Sequence, residues 1–244
     1  GSEMCIRDRP NLDSTAIRIG ELVSELIVDG SCIQTGIGAI PAAILSQLSD
    51  KNDLGMHGGL IDDAGRDLIE QGVLSGKSKT IDNGKHIAGM ALGTDKLYEW
   101  LAFQEDVVFR GADYTHEVSV ISQIDDFVSI NSAVEIDLYG QINSEFAGGR
   151  QISGTGGSVD FMRAAKSSKR GKSIVAMNAT AKNGEVSRIV QKVELVTALR
   201  TDVDIVVTEF GVAHLKNLPV NQRANALLEI AAPAFREELR SSIR

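Results

Sequence analysis

The sequence predicts an α/β domain: an open, largely parallel sheet flanked by helices. Segments with strand and helix patterns alternate along most of the chain. Ser173–Met177 and Ile205–Glu209 are short, nearly continuous apolar runs of the kind found in strands buried on both faces. No internal repeat, low-complexity tract or Pro/Ser-rich linker divides the chain, so residues 13–244 are read as one domain. Residues 1–12 are set apart as a non-native or disordered segment. The first nine of them share no pattern with the remainder of the chain and resemble a translated adaptor scar.

The first helix is marked by Ile19, Leu22, Val23, Leu26 and Ile27, which fall at helical spacing, with Asp13 or Ser14 as cap and Gly30 as stop. A short strand at Cys32–Gln34 runs through a glycine turn into a helix reaching Leu45 and Leu48. Leu54–His57 reads as a strand and Ala64–Gln71 as a helix. Ile87–Leu92 and Thr94–Leu101 repeat that alternation. Phe127–Ile130 and Val134–Leu138 look like a strand pair, with a helix over Val159–Lys166. The last 25 or so residues look helical, broken at Pro233.

Composition excludes several classes. Hydrophobic residues make up 43% of the 244, and charged ones 24%, which is too apolar for wholesale disorder. No run approaches the ~18 apolar residues of a membrane span. The net charge of −8 argues against nucleic acid as a partner, since nothing would neutralise phosphates in bulk. Cys5 and Cys32 form no CxxC, and four scattered histidines give no zinc pattern. A cytoplasmic protein without metal or permanently bound cofactor is expected.

Two glycine motifs stand between strand and helix patterns. In Gln34-Thr35-Gly36-Ile37-Gly38-Ala39-Ile40-Pro41 the backbone amides can approach an anion, or the glycines simply serve a tight turn. A dinucleotide fingerprint fits poorly, because Pro41 replaces its third glycine and no acidic residue ends the next strand. Gly154, Gly156 and Gly157, in Ser153–Phe161, would again present amides to a phosphate, a carboxylate or a developing oxyanion. His57, Glu145 and Glu209 lie near predicted strand ends, where either a functional or a structural role is open. Arg163, Lys166, Lys169, Arg170 and Lys172 read as a solvated helix terminus rather than a phosphate site.

Several motifs occur together in a known order: Gln34–Pro41, Ser129–Leu138 with Gly140 and Gln141, Ser153–Phe161, Ser187–Val190 and Val206–Ala213. On these the sequence resembles, from about Ile17 to its end, the C-terminal domain of the acetyl-CoA hydrolase/transferase family, in the branch of 4-hydroxybutyrate and butyrate CoA-transferases. The resemblance implies a CoA-transferase-like fold, coenzyme A or acyl-CoA as substrate with a short-chain carboxylate partner, a role in acetate metabolism, a homodimer, and an N-terminal domain preceding this one. It implies that Gln34, Gly36, Ile37 and Gly38 line the CoA or acyl site, and that the Gly154–Gly157 loop contacts CoA. It also implies covalent catalysis by a glutamate on the strand after the first glycine turn. Here that stretch reads His57-Gly58-Gly59-Leu60, and Gly59 takes the nucleophile's place without a carboxylate. Ala231-Ala232-Pro233-Ala234-Phe235-Arg236 likewise departs from the family's Ala-His-Pro-Asp-Phe-Arg. Glu145, or a water held by His57, then becomes the candidate catalyst. A CoA-binding module without catalysis is the alternative, and an assembly role for a pseudoenzyme a third.

Overall fold

The computed structural model describes residues 8–243. Its main sheet comprises β1 (Cys32–Thr35), β2 (Gly55–Ile61), β3 (His86–Ala91), β4 (Val107–Phe109), β5 (Phe127–Asn131), β6 (Lys172–Ala176), β7 (Ile205–Thr208) and β8 (Gly211–His214). The spatial order is β8-β7-β6-β5-β1-β2-β3-β4. All neighbours are parallel except the β7–β8 hairpin. From β1 the chain steps outward to β4, then returns to the other side of β1 with β5. Open α/β sheets leave a crevice beyond the carboxyl ends of their strands where the order reverses, here between β1 and β5.

Alternation along the strands sends side chains to two cores. On one face Ile33, Val128, Ile130, Ile174 and Val207 pack under α1 (Ser14–Ser24), α2 (Ala39–Ser46) and α3 (Asp63–Glu70), and α4 (Asp95–Leu101) contributes its C-terminal Leu101. On the other, Cys32 and Phe127 meet α6 (Val118–Ile121) and α7 (Ser158–Ser167), which follow the one-turn α5 (Ala112–Thr115). Val175 and Val206 meet Met162 of α7 and Leu227 and Leu228 of α8 (Val220–Glu229). A short α9 (Arg236–Ser241) follows a 3-10 turn at Pro233–Phe235. The large parallel sheet with helices on both faces is the architecture the sequence predicts.

The Asp13 cap falls where the sequence places it. Asp13 Oδ1 accepts the Ala16 N–H at 2.7 Å, and Asp62 Oδ1 accepts that of Gly65 at 2.9 Å. α1 stops at Ser24, short of Gly30, and Leu26 and Ile27 enter the core from a turn. β2 runs four residues past His57, which puts Gly58 and Gly59 inside the strand rather than beyond it.

The expected pairing of Phe127–Ile130 with Val134–Leu138 does not occur. Both edges of β5 are occupied by β1 and β6, so no hairpin partner can add there. Glu135–Asp137 instead forms a separate three-stranded sheet with Ile142–Asn143 and Ile189–Val190. Residues 8–12 have no regular structure, but Arg9 pairs with Asp67 of α3 at 2.8 Å. Residues 1–7, Cys5 included, lie outside the described residues.

Candidate functional site

At the reversal between β1 and β5, Gln34 and Asn131 lock together. Gln34 Nε2 donates to Asn131 Oδ1 at 3.3 Å, and Asn131 Nδ2 donates to Gln34 Oε1 at 3.2 Å. Gln34 is only 4% exposed, so its amide is spent on joining the strands. The turn after it is open. Gly38 caps α2 at φ +122°, a region glycine alone adopts readily. A side chain at Gly36 would meet empty space, and Ile37 is exposed.

The second glycine loop leads into α7. Gly154 and Gly156 are exposed with open space about them, and Gly156 sits at φ +59°. Gly157 caps α7 in a conformation open to any residue, yet a Cβ there would lie 2.2 Å from His116 Cδ2 and 2.5 Å from its Nε2. A Cβ on Gly59 would lie 3.2 Å from His116 Cε1 and Nε2. The imidazole thus fills the room that two glycines of distant elements leave free. It stacks obliquely on Phe161, with centroids 4.6 Å apart, and its Nδ1 lies 2.8 Å from Thr115 Oγ1. Sequence reasoning missed His116. It comes after a four-residue helix in a stretch with no periodicity, so nothing local marked it.

The other candidates have different surroundings. His57 is fully buried beside Tyr114, and burial, with the nearby Lys79 ammonium, pushes its pKa down to about 4. A water held by His57 would therefore be enclosed in the interior. Glu145 is buried as well: Thr197 Oγ1 donates to its Oε2 at 2.7 Å. Its carbonyl accepts the N–H groups of Ile152 and Ser153, so Glu145 anchors the approach to the Gly154–Gly157 loop. Glu209 Oε2 accepts the Ala179 N–H at 2.8 Å. The basic cluster is engaged throughout. Arg163 pairs with Asp202, Lys169 with Asp125 and Arg170 with Asp126, while Lys166 and Lys172 donate to the Thr201 and Leu26 carbonyls.

A cavity of about 540 Å³ opens between α2 and α3, next to Ile37 and Gly38. Its wall carries Asp62, Asp63 and Asp67, a poor lining for phosphates. Among the described residues, no group of three or more His, Cys, Asp or Glu could hold a metal, and no helix is long and apolar enough to cross a membrane.

Known proteins share this sequence and this geometry. The pattern of the acetyl-CoA hydrolase/transferase C-terminal domain matches residues 93–243. The chain is 45% identical over 238 residues to 4-hydroxybutyrate coenzyme A transferase of Clostridium kluyveri, covering 96% of this chain and 56% of that protein. It is 41% identical over 236 residues to butyryl-CoA:acetate CoA-transferase of Anaerostipes caccae, covering 92% and 53%. The crystal structure of RipA from Yersinia pestis superposes with a TM-score of 0.92 at 38% identity, over 97% of this chain and 54% of that one. The chain spans about half the length of these relatives.

Proposed function

Because the chain belongs to the acetyl-CoA hydrolase/transferase family, we propose that it is the coenzyme A-binding C-terminal half of an enzyme acting on short-chain acyl-CoA thioesters. Such an enzyme passes CoA to a carboxylate such as acetate, or releases it by hydrolysis. The observation that carries this reading is the open Gly154–Gly157 loop at the start of α7, on the edge of the sheet toward which the carboxyl ends of the strands point. Backbone N–H groups there suit a phosphate or a thioester oxyanion. Gly36, Ile37 and Gly38 form the second CoA-lining turn. Gln34 shapes that turn through Asn131, and Glu145 shapes the loop through its backbone carbonyl. The molecule works in the cytoplasm, as a homodimer, with acyl-CoA and a carboxylate as its partners.

Gly59 favours a second reading, a CoA-binding module that performs no chemistry, since a glycine offers no nucleophile. Calorimetric titration of the chain with CoA, followed by a thiol-release assay with acetyl-CoA, separates the possibilities. Saturable binding of about one CoA per chain is expected, and no binding overturns both readings. With the chain joined to an N-terminal half, thiol release without an acceptor means hydrolysis, acceptor-dependent exchange means transfer, and binding with neither means the module.

A further inference from the structure

Two glycines from two elements clear the space around one side chain, and a third glycine packs against the backbone of the first. Gly59 of β2 and Gly157 at the start of α7 leave room for the His116 ring. Gly89 of β3 stands where a Cβ would lie 3.5 Å from Thr115 Oγ1 and 2.9 Å from the Gly59 carbonyl oxygen. The ring is half-buried and braced by Phe161, and its Nδ1 is tied to Thr115. That leaves Nε2 as the working nitrogen, beside the glycine loop. The remaining imidazoles are placed otherwise: His57 and His86 are 0% and 2% exposed, and His214 lies exposed on the edge strand β8. The nearest carboxylate in sequence, Glu117, is occupied with the Ser119 N–H.

We propose that His116 is the catalytic acid–base of this site and supports attack by water on the acyl-CoA thioester, an inference that rests on the coenzyme A reading. With Nδ1–H donating to Thr115 Oγ1, the Nε2 lone pair takes a proton as the water oxygen bonds to the carbonyl carbon. The tetrahedral oxyanion, held by loop N–H groups, then collapses, the C–S bond breaks, and Nε2–H protonates the departing thiolate. Water is consumed, and the free acid and CoA thiol are the products. A carboxylate at position 59 is not required, so hydrolysis is the reaction this arrangement favours.

Bromoacetyl-CoA tests the placement without depending on turnover, because a nitrogen lone pair beside the acyl group displaces its bromide and keeps the adduct. Peptide mass spectrometry of the treated chain is expected to find the adduct on His116, suppressed at least tenfold by saturating CoA. His214 serves as the exposed reference and reacts equally with and without CoA. His116→Asn and His116→Gln are expected to abolish the protected adduct while binding CoA within about threefold of the parent chain. CoA binding with His116 unmodified, or modified equally in the presence of CoA, overturns the proposal and leaves the binding reading intact. Absence of CoA binding overturns the binding reading, and the proposal falls with it.

Discussion

Gly157 adopts φ −99°, which any residue tolerates, so the reason for glycine there is its neighbour and not its backbone. Gly171 presents the same situation in a harder form. A Cβ at Gly171 would stand 1.9 Å from the Ala165 carbonyl oxygen, which is main chain and cannot turn aside. The two substitutions should therefore differ. Gly171→Ala is expected to cost about 1–3 kcal/mol, the range typical of overpacking. Gly157→Ala should cost less, because the His116 ring can swing, but it should displace that ring from Gly59. Urea unfolding of both variants checks the order, and equal losses would contradict it. The sequence exposes the glycine loops but not this partnership, because His116 and Gly157 meet only through the tertiary fold. For the same reason the family resemblance can place Gln34 in the ligand lining without disclosing its partner. Nothing local reveals that Asn131, on a strand far along the chain, takes up both of its hydrogen-bonding groups.

Elements with strong periodicity or capping signals are legible nearly to the residue. α3 and α7, and the buried strands β6 and β7, all fall where the sequence places them, within one or two positions. The three-residue β4, the one-turn α5 and α6, and the hairpin strand β8 are too short to carry a pattern. The three-stranded sheet around Glu135–Asp137 escapes notice for two reasons: its strands are only two or three residues long, and one of them, Ile189–Val190, lies far along the chain. Besides the apolar core it shares with α8 and α9, the region of this small sheet is tied to α8 by Arg223, which is 6% exposed. Its guanidinium donates to the carbonyls of Tyr139 at 3.0 Å and Leu215 at 2.9 Å, and also to that of Arg200. Lysine keeps the charge but cannot span three carbonyls with a fork. Arg223→Lys should destabilise the chain by about 1–3 kcal/mol, the cost of leaving a buried acceptor unpaired. A urea midpoint unchanged from the parent would show that the lysine reaches all three or that water replaces the contacts.

The whole molecule buries two imidazoles, and this gives its stability a definite pH dependence. His57 and His86 are both driven down to about 4, by burial first and by the Lys79 ammonium second, against a usual value near 6.5. Asp82 opposes the shift at His57 and Asp106 opposes it at His86, but neither reverses it. Between about pH 6.5 and 4 the unfolded chain takes up protons at both rings that the folded chain refuses. Stability therefore falls as pH drops through that window, by an amount on the order of 2 kcal/mol for each ring at pH 4.5. Carboxylates held low by their partners, such as Asp67 beside Arg9 and Arg66 and Asp106 beside Lys85, lose their contribution only at still lower pH. The two causes can thus be separated by range. Urea midpoints measured from pH 7 to pH 4.5 should fall steadily, and His57→Gln should remove roughly half of that slope whatever it does to the absolute stability. A midpoint independent of pH over this range would mean that the buried rings accept protons in place, through water or a rearrangement of Lys79. The sheet's tightly packed central strands would then be more permeable than their burial indicates.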